Sequence, residues 1–194
     1  SEYKALLSLA EVSHDVDTDR LINFLNEPRI GLDSERDTVF RQIKQLLPGE
    51  YLCVDLESMD VNVVRYWQPQ IDPELSHLDD REAIDRFQFL LMDSVKIRMR
   101  SDVPVGSCLS GGLDSGSIVC LNRQILGEVA PYHVFTGSFP GTSADEWPYA
   151  EEVVKTANVT SHLVEPVPET FLDDLPDFMW HNELPVGSSS QFAQ

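Results

Sequence analysis

Between Val103 and Glu165, short β-favouring apolar runs alternate with helical patterns, and this alternation restricts the fold more than any other feature. Val103–Leu109 is apolar and strand-like despite Pro104. Residues 114–126 (DSGSIVCLNRQIL) form a helix that offers Ile118, Cys120, Leu121 and Ile125 for packing. Tyr132–Phe139 is the next strand, Trp147–Ala157 the next helix and His162–Glu165 a third strand. Strand–helix–strand–helix–strand is the order of an α/β fold, a parallel sheet with flanking helices. In such a sheet, ligands bind beyond the carboxyl ends of the strands, where loops lead into helix N-termini.

The stretch SCLSGGLDSGSIV, residues 107–119, lies at the first of those ends. Gly111 and Gly112 let a ligand approach the backbone closely. The N–H groups that open the following helix point at the loop, and the helix dipole favours an anion there. Ser110 and Ser115 add hydroxyl donors. Asp114 would repel a phosphate unless a Mg²⁺ stood between the two, so a carboxylate in this position implies a metal-bound phosphate. No Lys follows the glycines, which separates the loop from the GKS/GKT phosphate loop. The bland alternative is a surface turn in which Asp114 or Ser115 merely caps the helix.

Charge excludes one class of partner. The 194 residues carry a formal charge of −19, and beyond Arg123 the one further Lys or Arg is Lys155, against eleven acidic residues. Such a surface repels a phosphate backbone, so nucleic acid is not an expected partner. A bound nucleotide would then need a divalent cation. No run approaches the ~20 apolar residues of a membrane-spanning helix, and no membrane partner is expected. Cys53, Cys108 and Cys120 form no CxxC pair; they are expected to be small buried hydrophobes in a reducing, cytoplasmic compartment.

The first part of the chain has a different character. Residues 18–32 predict a short amphipathic helix, capped by Thr18, burying Leu21, Ile22 and Leu25 and ending at a Pro/Gly break. A second apolar pattern, Val39, Ile43, Leu46 and Leu47, stops at Pro48-Gly49. Tyr51–Leu56 and Val61–Trp67 predict an antiparallel hairpin. Pro69–His77 is a connector and the expected domain boundary. Asp79 or Asp80 then caps a long helix carrying Ile84, Phe87, Leu91 and Val95.

With these features in view, SDVPVGSCLSGGLDSGSI (residues 101–118) resembles the pyrophosphate loop of the glutamine-hydrolysing asparagine synthetase family. PGEYLCVD (48–55) before RYWQP (65–69) resembles the end of that family's α+β glutamine-amidotransferase domain. YHVFTGSFPGTSADEWPYAEEV (132–153) resembles its adenine-side strand and helix, and TSHLVEPV (160–167) its third strand. The resemblance implies an amidotransferase-like C-terminal part over residues 1–75, then the N-terminal part of an ATP-binding domain of the PP-loop ATP pyrophosphatase type over 76–194. It also implies a reaction: ATP adenylates a carboxylate, pyrophosphate leaves, and ammonia or an amine attacks the acyl-AMP. The implied ATP set is Leu109, Ser110, Gly111, Gly112, Leu113, Asp114, Ser115 and Gly137, with Asp114 on Mg²⁺. The implied partners are an aspartate-like carboxylate and ammonia from glutamine; a homodimer is compatible with it. A non-catalytic nucleotide-binding or scaffold relative, or a relative of the same fold that forms lactam or peptide bonds, is the alternative.

Three departures stand out against the family pattern. Gly116 stands where Ser is common, and Gly137 where a larger aliphatic residue is expected beside the adenine. Ser1 stands where the glutaminase would need an N-terminal Cys, so no glutaminase nucleophile is carried over. The second acidic loop and the catalytic Lys are expected beyond Gln194, which makes an interior slice of a longer protein the expectation. The five histidines (14, 77, 133, 162, 181) are far apart in sequence without ligand spacing. Asp145 and Glu146 head a helix, where they cap it or approach the ligand. Trp67, Trp147 and Trp180 are expected to pack, and Glu183 and Pro185 to lie near the carboxylate-substrate pocket.

Overall fold

The computed structural model describes residues 2–27, 32, 34–186 and 190–193. Its contacts divide between two units, Ser1–Ile71 with Leu175–Gly187 and Asp72–Asp174 with Ser188–Gln194.

In the first unit, α1 (Tyr3–Leu7) is followed by α2 (Thr18–Asn26). Asp17, not Thr18, caps α2, its carboxylate accepting from the Arg20 N–H at 3.1 Å. The buried face is also rotated from expectation. Phe24, the largest apolar side chain of the helix, is buried, while Ile22 and Leu25 are exposed. The Pro28–Gly31 break lies outside the described residues. Val39 and Ile43 are buried, but the segment around them runs through turns and two isolated bridges, Val16–Phe40 and Asp37–Lys44. β1 (Glu50–Val54) pairs antiparallel with β2 (Val61–Arg65), Glu50 opposite Arg65 and Val54 opposite Val61.

Glu50 ties the hairpin to the segment before it. Its side chain is only 7% exposed and accepts from Arg36 at 2.7 Å, Arg65 at 3.2 Å and the Leu47 N–H at 3.0 Å. The Leu47 N–H holds this carboxyl below its ordinary value; burial opposes that, and the two guanidiniums add to it. A lowered folded value gives stability that is present above the unfolded one, about 4.3. It is lost as pH falls through the lowered value. Glu50→Gln is therefore expected to melt earlier at neutral pH, and the gap from wild type should close in acid. Circular-dichroism melts at pH 7 and pH 3 check this, and an equal gap at both would contradict it.

In the second unit, a 3₁₀ turn (Pro73–His77) leads to α3 (Asp80–Arg98). Asp79 and Glu82 form a reciprocal capping box, at 2.8 and 3.0 Å. The expected apolar stripe is buried only at its end: Val95 is enclosed, whereas Ile84 and Phe87 are exposed. β3 (Ser107–Cys108), α4 (Leu113–Leu126), β4 (His133–Gly137), α5 (Trp147–Ala157) and β5 (Thr160–Val164) follow. The strands form one parallel sheet, ordered β3–β4–β5. α6 (Phe171–Asn182), which contains Pro176, is divided between the two units after Asp174, and α7 (Ser190–Ala193) lies in the second.

Strand alternation decides what is buried. Val134 and Thr136 point inward, while His133, Phe135 and Gly137 take the opposite face. Leu109, Val119, Tyr132, Val134, Ala150 and Ala157 form the core, flanked by Cys120, Trp147 and Val153. β3 is shorter than expected because pairing begins only at Ser107; residues 103–106 lie outside the ladder. All three cysteines are free thiols, and Cys53 and Cys108 are exposed, so only Cys120 keeps the expected packing role. Trp67 and Trp180 are likewise exposed, Trp180 beneath the Lys4 ammonium at 5.0 Å. No described helix is long and apolar enough to cross a membrane.

Two polar side chains brace the sheet and its helices. The Tyr132 hydroxyl meets Ser107 Oγ at 2.5 Å and accepts from Asn122 Nδ2 at 2.7 Å, joining β3 to α4. Tyr132→Phe would leave the buried Asn122 amide without this acceptor, an expected loss of about 1–3 kcal/mol. Chemical denaturation measures it; an unchanged midpoint would contradict the brace. Arg123 donates to the carbonyls of Gly127 (2.9 Å), Ala130 (2.7 Å), Ala157 (2.9 Å) and Asn158 (2.8 Å), where α4 and α5 both end.

Candidate functional site

The candidate site is built where β3 stops. The Leu109 N–H donates to the Phe135 carbonyl at 2.8 Å, and its own carbonyl accepts from Thr136 Oγ1 at 2.8 Å. Both backbone groups are thus committed, and the side chain, 2% exposed, belongs to the core. The chain leaves the sheet at Ser110, turns through Gly111 and Gly112, and enters α4 at Leu113. Ser110 and Ser115 lock the turn internally. Their hydroxyls are 2.8 Å apart, the Ser110 N–H donates to Ser115 Oγ at 3.1 Å, and the Gly112 N–H donates to Ser110 Oγ at 3.2 Å.

No side chain caps α4. Among the described residues, the backbone N–H groups of Leu113, Asp114 and Ser115 meet no protein acceptor. A 14-residue helix therefore presents its positive end and three donors at the loop. Leu113 is 85% exposed beside them, and Asp114 is exposed in the same turn.

α5 closes one side of the loop. Built on Gly111, a Cβ would stand 2.8 Å from the Glu146 carbonyl oxygen and 2.8 Å from Tyr149 Cβ, so only glycine permits this approach. The Gly111 N–H donates to Glu146 Oε2 at 3.2 Å. Asp145 anchors the residues beside it, accepting from Ser138 Oγ (2.9 Å) and from the N–H groups of Phe139 (3.1 Å) and Trp147 (3.3 Å). Burial pushes the Asp145 carboxyl up, but the Phe139, Ser138 and Trp147 bonds together hold it below its ordinary value. The two acidic residues thus divide their roles: Asp145 ties the helix head to the residues that follow β4, and Glu146 reaches the loop.

The two glycine departures acquire physical roles. A side chain at Gly116 would press on Val153 of α5 at 3.3 Å, so this glycine serves the close packing of two helices. At Gly137, a Cβ would come within 2.9 Å of the Ala193 Cβ. Glu183 instead caps α1 within the first unit, accepting from the Tyr3 and Lys4 N–H groups at 2.7 and 2.9 Å. One separation read from the sequence is corrected. Parallel register brings His133 and His162 together, nitrogens 2.9 Å apart, with His162 stacked on Phe135.

The loop fits a metal-bound phosphate. Mg²⁺ commonly takes one or two carboxylates and completes its shell with phosphate oxygens and water. Asp114, exposed beside unengaged amides, would be the carboxylate to hold it. Among the described residues, no group of three or more His, Cys, Asp or Glu forms an all-protein metal cage.

A parallel strand that exits through a glycine–serine turn into an uncapped helix defines the class as an α/β protein, a parallel sheet with flanking helices. The asparagine synthase family model matches residues 86–194, more than half of the chain. The protein belongs to that family. It is 30% identical to a putative glutamine-hydrolyzing asparagine synthetase 2 of Methanocaldococcus jannaschii, across 99% of this chain and 36% of that protein. Against glutamine-hydrolyzing asparagine synthetase 1 of Bacillus subtilis it is 26% identical, over 96% and 28%. Against a protein named amidase chyE of Penicillium rubens it is 28% identical, over 78% and 25%. The chain thus spans about a third or less of these relatives' lengths. Among solved structures, an NH3-dependent NAD synthetase of Campylobacter jejuni aligns with 18% identity and a TM-score of 0.35, covering 56% of this chain and 44% of that one.

Proposed function

We propose that this chain carries the phosphate-binding part of an ATP-dependent, AMP-forming amide ligase. In this reading a carboxylate, aspartate-like in class, is adenylated and then receives ammonia or an amine. The carrying observation is the turn at 110–115, where three amides and a carboxylate face outward at a helix N-terminus. Ser110, Gly111, Gly112, Leu113 and Ser115 hold the phosphates. Donors fixed before the reaction stabilise the charge that grows on leaving pyrophosphate. Asp114 holds Mg²⁺, which supplies Lewis-acid charge neutralisation when bound. Leu109 and Gly137 place the nucleoside, with Leu109 acting through the strand end it fixes.

On this reading residues 1–75 close a glutamine-amidotransferase-like domain that supplies ammonia, and 76–194 open the ATP-binding domain. The working compartment is the cytoplasm. The relative named an amidase supports amide chemistry without fixing the acceptor.

In the full-length protein, pyrophosphate release is expected to require ATP, Mg²⁺ and a carboxylate together. Calorimetric titration with Mg-ATP separates the non-catalytic alternative: binding without pyrophosphate release for any carboxylate offered would favour it. Absence of both would remove the reading.

A further inference from the structure

We propose that Glu146 is a built-in occupant of the phosphate seat, which the nucleotide must displace. The inference rests on the phosphate-loop reading above. Its starting point is that Gly111 already donates its N–H to an anion, Glu146 Oε2, at 3.2 Å. Residues 109–116 contain no Lys or Arg, so attraction for phosphate there comes from backbone donors, the helix end and any metal. One donor held by a carboxylate is a large share of that attraction.

Glu146 is delivered by a fixed support. Its carbonyl accepts from the Tyr149 and Ala150 N–H groups at 3.1 Å each, and Asp145 locks the preceding turn to Ser138 and Phe139. Close contact at Gly111 sets the distance between that support and the loop. The side chain itself is exposed and flexible enough to leave. A phosphate oxygen arriving at the Gly111 amide would face the Glu146 charge until the carboxylate swings aside. Glu146 is thus a positioning residue: it engages the Gly111 amide and raises the threshold for phosphate.

The test is titration of inorganic pyrophosphate with Mg²⁺ into the full-length protein. Glu146→Ala is expected to bind roughly three- to tenfold more tightly than wild type, as one charge-assisted bond in partly exposed surroundings implies. Glu146→Gln keeps an acceptor without the charge and should fall between them. Glu152→Gln, which removes an equal charge from a carboxylate paired with Lys155 at 3.2 Å, should match wild type. Circular dichroism confirms that each variant is folded. Wild-type binding with an unchanged or weaker Glu146→Ala variant would overturn this proposal alone, leaving Glu146 as a tether. An equal gain in Glu152→Gln would overturn it too, by assigning the effect to overall charge. Failure of wild type and every variant to bind pyrophosphate would overturn the phosphate-loop reading itself.

Discussion

Asp114→Ala in the full-length protein is expected to lower pyrophosphate release by about a hundredfold or more, the scale seen when one fixed electrostatic partner of a transition state is removed. The competing account is that Asp114 only complements the dipole of α4. That interaction is worth about 0.3–1 kcal/mol at an exposed first turn. It predicts a slightly earlier melt and near-normal turnover. The two accounts therefore separate on paired measurements, pyrophosphate release and thermal melting of the same sample. Asp114→Asn sharpens the contrast, because it keeps the side-chain shape and removes the charge. Near-normal turnover by either variant would remove Asp114 from the metal role.

The second large effect falls on Gly111. A methyl group there meets a main-chain carbonyl and a Cβ, both at 2.8 Å, and neither can rotate away. Either α5 or the turn must move, at an expected cost of about 1–3 kcal/mol. Pyrophosphate affinity should fall with it, because the donors are aimed by the same turn. Gly112→Ala is the control. Its Cβ would approach only the Ser110 hydroxyl, at 3.2 Å, which can swing aside, and its φ of −78° suits alanine. Denaturation midpoints and pyrophosphate titration of both variants check this. Equal behaviour would mean that the contact with α5 does not set the loop.

What the sequence revealed depended on the range of the interaction. Local signals were readable: the Asp79–Glu82 box, the Pro48-Gly49 stop, and the period change that alternates strand and helix from β3 to β5. Each is decided by residues a few positions apart. The Thr18 cap was misread by one position because Asp17 offers a carboxylate one residue earlier. Long-range placements were hidden. Glu146 lies 35 residues from Gly111, and only the packing of α5 beside the turn brings it within reach. The one available signal was an acidic pair at a helix head, which fits capping equally well. His133 and His162 meet because a parallel ladder sets them diagonally across adjacent strands, and no spacing rule along one chain encodes that. The exposed start of α3 follows the same logic, since periodicity marks an apolar face without naming what covers it.

Arg123 gives the region a mechanical asymmetry. One guanidinium gathers carbonyls from the tails of both helices that flank the sheet. At the opposite extremity, Gly111 and Glu146 are joined by one exposed hydrogen bond. The two helices are thus joined by one shared cation at their tails and by close apolar packing, with a single exposed polar link, at their heads. Because every one of the acceptors at the tails is a neutral carbonyl, that rear joint draws on no carboxylate charge.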